Sequence, residues 1–270
     1  MPATSPDIPA PHAAFLRAAL ERLHTDPRLV GVAAGGSYLT PAAMDDVSDL
    51  DLVIAVEPDA YDAVLREREA IARGLGPLLA AFTGDHVGEP RLLICLYGPP
   101  LLHVDLKFVR LPDVAVRVEE PVVLWERDGR LSAALAAGIA RYPSPDLQWI
   151  EDRFWVWVHY AAGKIGRGEL FEAIDALSLL RRLVLGPLAL LQRGAQPAGV
   201  RKLEQAAPDL VAELARTVPA YDAESCAAAL DATAASYRRL RTALATPALV
   251  VNERTEAAAM AYLEEIAARF

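Results

Sequence analysis

Leu29-Val30-Gly31-Val32-Ala33-Ala34-Gly35-Gly36-Ser37, followed twelve residues after the serine by Asp49-Leu50-Asp51-Leu52-Val53-Ile54-Ala55-Val56, is the stretch that decides the fold. Leu29 to Ala34 is a short apolar run ending in Gly-Gly-Ser, the pattern of a buried strand that turns sharply. The turn is expected to enter a helix that Pro41 helps to start. Gly35 and Gly36 let the backbone approach a ligand closely, and the Ser37 hydroxyl can donate to a phosphate oxygen. Ser48 to Val56 reads as a second strand. A period of two puts Asp49, Asp51 and Val53 on one face and Leu50, Leu52 and Ile54 on the other. The apolar face packs, and the paired carboxylates emerge at one edge.

Two carboxylates this close repel, so both stay ionised at neutral pH only with a cation between them. Mg²⁺ fits, because it takes hard oxygen ligands and is usually held by one or two carboxylates plus substrate phosphates. A third carboxylate is then expected on a neighbouring strand. Leu101 to Arg110 supplies Asp105, which alternates with Val104, Leu106 and Phe108 at period two. Arg91 to Tyr97 and this strand flank Gly98-Pro99-Pro100, predicting a hairpin that brings Asp105 beside the first pair. His103 shares the Asp105 face, and Glu89, in the preceding segment, competes with Asp105 for the role.

The ordered set of glycine-serine turn, Asp-X-Asp strand and later strand Asp resembles the nucleotidyltransferase superfamily that includes DNA polymerase β and the antibiotic nucleotidyltransferases. Gly36-Ser37 matches the family's glycine-serine pair, Asp49 and Asp51 its metal-binding pair, and Asp105 its third carboxylate. Gly-Gly-Ser alone is a turn, and Ser-Asp-Leu-Asp alone a solvated strand start; the ordered combination favours the functional reading. The resemblance implies transfer of a nucleoside monophosphate from a triphosphate, with ATP as co-substrate, to an acceptor hydroxyl with release of pyrophosphate. It also implies one or two Mg²⁺ ions on Asp49, Asp51 and Asp105, with Gly36 and Ser37 on the phosphates. Asp105 either completes the second metal site or takes the acceptor's proton.

At 270 residues the chain can bury a good core and accommodates two domains. A formal charge of −9 argues against wrapping nucleic acid, which needs clustered Lys and Arg, and suits a cationic acceptor better. Cys95 in a predicted strand and Cys226 in a predicted helix read as reduced core residues, consistent with a cytoplasmic enzyme. No apolar run approaches the ~20 residues of a membrane span, and the N-terminus lacks a signal pattern. No His/Cys cluster has zinc-ligand spacing.

The fold class expected is α+β. An N-terminal nucleotidyltransferase domain, residues 1–142, has a small mixed or antiparallel sheet flanked by helices, and an all-α bundle follows over residues 143–270, with Tyr142-Pro143-Ser144-Pro145 as linker. The first domain begins with a helix over His12 to His24, adds one over Asp59 to Arg73, and ends with a short strand, Pro121 to Trp125, turning at Asp128-Gly129. The bundle's predicted helices are Asp146 to Arg167, capped by Asp146, then Leu170 to Leu185, Gly199 to Val218, Ala223 to Leu244 and Asn252 to Phe270. On the first of these, Arg153, Trp157, Tyr160, Lys164 and Arg167 share one stripe. Several antibiotic nucleotidyltransferases are similar here, which implies Lys164 as a triphosphate ligand; the alternative is a solvated cationic face. Glu169, Glu172 and Asp175 either receive a polyamine-like substrate or complement the helix dipole, and Arg181 and Arg182 pair with them or stay in solvent.

The partners expected are ATP or another triphosphate and a small-molecule hydroxyl acceptor, of aminoglycoside or lincosamide type, with antibiotic resistance as one biological role. Nucleic acid and membrane are not expected, and completion of the cleft by a second copy, as a homodimer, stays open. Two alternatives remain: a protein-modifying enzyme of toxin–antitoxin type, disfavoured by the appended bundle, and a degenerate nucleotide-binding module, weakened by the presence of all three acids.

Overall fold

A computed structural model of the chain describes residues 8–39 and 44–270. The chain divides into two compact units, residues 1–141 and 142–270. In the first, strands β1 (Leu29–Ala34), β2 (Leu50–Val56), β3 (Leu78–Gly84), β4 (Glu89–Tyr97), β5 (Leu102–Arg110) and β6 (Val122–Glu126) build one sheet in the order β3-β4-β5-β2-β1-β6. The sheet is mixed: β2 and β5 run parallel, and the other neighbours are antiparallel. Period-two alternation assigns the faces. Leu50, Leu52 and Ile54 of β2 and Val104, Leu106 and Phe108 of β5 are buried with Phe15, Leu16 and Ala19 of helix α1 (Ala10–His24) and Val64 and Ala72 of helix α2 (Tyr61–Arg73). The opposite face has a smaller cover, in which Ala33, Ala55 and Val109 pack with Val114 and with Leu131 of helix α3 (Arg130–Ala136). Val53 also packs against that cover, while Asp51 and Asp105 lie further along the same face.

The structure departs from the sequence expectation at several places. β2 begins at Leu50, not Ser48, because Ser48 closes a turn with Asp45: its N–H donates to the Asp45 carbonyl at 3.2 Å, and its Oγ accepts from the Asp45 N–H at 3.0 Å. β3 was not expected, since this edge strand has no hydrophobic alternation and both Leu79 and Phe82 are exposed. The short helix α3 after the Asp128-Gly129 turn was likewise not expected. The turn after β1 forms a single 3₁₀ segment, Gly36–Leu39, and the helix start assigned to Pro41 lies outside the described residues.

The second unit is helical: α4 (Leu147–Gly166), α5 (Leu170–Leu180), α6 (Gly186–Gln192), α7 (Leu203–Ala206), α8 (Val211–Ala215), α9 (Ala223–Leu244) and α10 (Glu253–Ala267). Asp146 caps α4 as expected, accepting from the N–H groups of Gln148 and Trp149, each at 3.0 Å. The helix expected over Leu170 to Leu185 continues to Gln192 through a π turn at Arg181–Leu185. The wider turn accommodates Pro187, whose ring lacks an N–H and crowds the preceding turn of a regular helix. The single helix expected over Gly199 to Val218 is instead α7, a 3₁₀ turn at Pro208–Leu210 and α8. A proline in a helix interior costs about 3 kcal/mol, so Pro208 starts a new segment.

The unit is held at its centre by a buried acid. Glu151 on α4 is 1% exposed. Its carboxylate accepts from Tyr237 Oη at 2.5 Å and Arg241 Nη1 at 3.0 Å, both on α9, and from the Asn252 N–H at 3.0 Å at the start of α10. Burial pushes this carboxyl up, but the donors from Tyr237, Asn252 and Arg241 outweigh burial and leave it below the usual carboxylate range. Replacing Glu151 with Ala leaves the Tyr237 hydroxyl without its acceptor in the core and leaves Arg241 with Glu256 as its one remaining carboxylate partner, at 2.9 Å. The expected cost is about 1–3 kcal/mol, read from urea unfolding of the full chain, against less than 1 kcal/mol for an exposed control such as Glu265→Ala.

Candidate active site

The parallel ladder sets the geometry. β2 and β5 pair Leu50 with Val104, Asp51 with Asp105, and Leu52 with Leu106, so the two acids are direct cross-strand neighbours on one face. Adjacent strands lie about 4.8 Å apart. Two ionised carboxylates at that spacing repel by roughly 3 kcal/mol at an effective dielectric constant of about 20. Asp49 precedes the strand by one residue. His103, also on this face, places Nε2 3.0 Å from Asp105 Oδ1.

The glycine turn abuts these acids. The Gly35 N–H donates to the Asp51 carbonyl at 2.9 Å, which continues the β1–β2 ladder into the turn. Gly36 has φ +58°, and a Cβ there would overlap Asp51 Oδ2, so both the backbone conformation and the carboxylate require glycine. Ser37 Oγ donates to the Asp49 carbonyl at 3.2 Å. The hydroxyl read from sequence as a phosphate donor therefore ties the turn to the first acid. A fourth carboxylate completes the neighbourhood: Glu119 Oε1 accepts from the Gly36 N–H at 2.8 Å. Sequence reasoning missed Glu119, which lies 83 residues from Gly36 in an irregular segment that no periodicity marks.

The other candidates have partners of their own. Glu89 is engaged elsewhere: Arg91 Nη2 lies 2.6 Å and Lys107 Nζ 2.7 Å from Glu89 Oε2, and Arg91 and Lys107 together hold the carboxyl down at about 2. The β4–β5 register places Ile94, not Glu89, opposite Asp105. In the helical unit, Lys164 Nζ lies 2.7 Å from Glu169 Oε2 and 2.8 Å from Glu172 Oε2, and Tyr160 also donates to Glu172. Lys164 holds the Glu172 carboxyl at about 2, so the cation expected to meet a triphosphate already has two carboxylate partners. Arg181 does not pair with those acids; it donates to the Thr217 carbonyl. His159 packs on Tyr262 with ring centroids 4.6 Å apart. Cys95 and Cys226 are free and buried, as expected of core thiols.

The donor set suits a hard divalent ion in part. Asp51 and Asp105 offer carboxylate oxygens side by side, the number that Mg²⁺ commonly takes from protein when phosphates and waters fill its remaining positions. Among the described residues, no three His, Cys, Asp or Glu side chains converge as a self-sufficient metal group. Such a site therefore depends on ligands from the substrate. Among the described residues, no helix is long and apolar enough to cross a membrane.

Neither protein-family models nor curated proteins match this chain. Among solved structures it is similar to an aminoglycoside 6-adenyltransferase from Bacillus subtilis, at 15% identity and a TM-score of 0.40, over 93% of this chain and 97% of that one. It is also similar to a nucleotidyltransferase-like protein from Exiguobacterium sibiricum 255-15, at 15% identity and a TM-score of 0.37, over 86% of this chain and 76% of that one. At these TM-scores neither likeness decides the chemistry.

The Glu89 ion pairs predict a pH signature that is independent of the site. A carboxyl at about 2 in the folded chain, against 4.5 ordinarily, contributes stability that is full above pH 4.5 and is lost as the pH falls from about 4.5 towards 2. Glu89→Gln should therefore melt below the wild type at pH 6, with the gap narrowing at pH 3, as followed by circular dichroism.

Proposed function

We propose that this chain is a metal-dependent nucleotidyltransferase that moves AMP from ATP to a hydroxyl of a small molecule and releases pyrophosphate. The observation that carries the reading is the parallel register that sets Asp51 beside Asp105, with Gly36 packed against Asp51 at the end of the adjoining strand. Two carboxylates set side by side by the strand register favour a site for positive charge.

The roles follow from position. Asp49, Asp51 and Asp105 would hold Mg²⁺, which when bound neutralises triphosphate oxygens and favours loss of the acceptor proton. The Gly36 N–H would donate to the departing phosphates, and the Ser37–Asp49 hydrogen bond keeps turn and acid in step. As the bond from the acceptor oxygen to the α-phosphorus forms and the bond from that phosphorus to the bridging oxygen of pyrophosphate breaks, the acceptor's proton leaves. Asp105 either completes the metal site or accepts this proton, and His103, with Nε2 3.0 Å from Asp105 Oδ1, holds its carboxylate in place. The charge of −9 supports a cationic acceptor, so compounds of the aminoglycoside type are the first to test, with lincosamides beside them.

The test is pyrophosphate release from Mg²⁺-ATP across those acceptors, with mass spectrometry of each product. The wild type should add the mass of AMP to an acceptor. Asp49→Asn and Asp51→Asn should fold normally and lose at least about 10²-fold in rate, the scale of one preorganised electrostatic group. Appreciable transfer by either variant would overturn the assignment.

A further inference from the structure

The turn assigned above to the phosphates already holds an anion that belongs to the chain. Glu119 Oε1 takes the Gly36 N–H at 2.8 Å, and a Cβ on Gly35 would overlap that same oxygen. Gly35 thus makes room for Glu119, as Gly36 makes room for Asp51. The segment carrying Glu119 is braced. Arg117 donates to the neighbouring Glu120 at 2.6 Å and to the carbonyls of Ala115 and Gly138 at 3.2 and 3.1 Å, while Glu120 accepts from the Ala140 N–H at 3.1 Å. The Arg117 backbone carbonyl takes the Arg141 N–H at 2.9 Å. Glu119 is therefore presented to the turn by a fixed frame.

One N–H carries one hydrogen and makes one well-aligned bond. A phosphate oxygen and the Glu119 carboxylate cannot both take it, and two anions at that distance also repel. We propose that Glu119 is an internal occupant of the phosphate-binding turn, which the triphosphate must displace, and that this residue sets the chain's affinity for nucleotide. The inference rests on the function proposed above. Its consequence is quantitative: the apparent dissociation constant equals the intrinsic one divided by the fraction of molecules in which the turn is open. If Glu119 holds the turn nine-tenths of the time, the cost in affinity is about tenfold.

Calorimetric titration with Mg²⁺ and a non-hydrolysable ATP analogue tests this on three full chains: wild type, Glu119→Ala and Glu119→Asp. Glu119→Ala removes both occupant and charge. Glu119→Asp keeps the charge but is one methylene shorter, so it separates occupancy from simple repulsion. The expected result is tighter binding in both variants, by about tenfold, with Glu119→Asp close to Glu119→Ala. Unchanged or weaker binding in Glu119→Ala overturns the inference, as does wild-type affinity in Glu119→Asp, and in both cases wild-type binding leaves the proposed function standing. Absence of binding in all three chains overturns the proposed function and this inference together.

Discussion

The parallel pairing of β2 with β5 is the constraint on which the rest depends. Leu50, Leu52, Ile54, Val104, Leu106 and Phe108 are each at most 1% exposed. At about 1.5–3 kcal/mol for each buried side chain, these six contribute on the order of 10 kcal/mol. A slip of one residue in either strand would turn that set outward and bury the acids. Apolar burial thus exceeds the roughly 3 kcal/mol of repulsion between Asp51 and Asp105 and forces the two carboxylates together. The hydrophobic face of the same two strands sets the register that places the acids side by side, with His103 Nε2 3.0 Å from Asp105 Oδ1.

The glycine turn is shaped by the same acids. Sequence reading takes paired glycines before a serine as a cradle for a ligand, and the structure adds a reason internal to the fold. Asp51 stands against Gly36, and Glu119 against Gly35. The turn is pressed from both sides by carboxylates, and its N–H is the donor that one of them uses. A backbone donor flanked by acids is in balance: it can keep its own anion or exchange it for one that arrives with a compensating cation.

How far the sequence reveals this can be traced residue by residue. The strand positions of Asp51 and Asp105 were legible because period-two alternation is local and sets each acid on the face opposite the buried apolar one. The β4–β5 hairpin was legible from the turn at Gly98-Pro99-Pro100, whereas the parallel pairing of β5 with β2 that sets Asp105 beside Asp51 joins segments some fifty residues apart, which no local pattern marks. β3 was not, since an edge strand with both faces partly exposed carries no alternation to read. The break at Pro208 lies between stretches rich in helix formers, which hid it from the expected Gly199 to Val218 helix. Lys164 was found by its stripe on α4, yet the residues that occupy it, Glu169 and Glu172, lie past the helix end, where a periodicity argument stops. Glu119 was invisible because nothing local distinguishes an acid in a loop; only the register of two distant segments gives it a partner.

Binding of Mn²⁺, as a paramagnetic stand-in for Mg²⁺, together with a non-hydrolysable ATP analogue tests the central claim most directly, followed by electron paramagnetic resonance in the wild type, Asp51→Asn and Asp105→Asn. The account predicts ion uptake that depends on the nucleotide in the wild type and falls away in both variants while their melting temperatures hold. Equal uptake by all three chains would contradict it, since the register of β2 and β5 would then place the acids together for some reason other than a metal-held triphosphate.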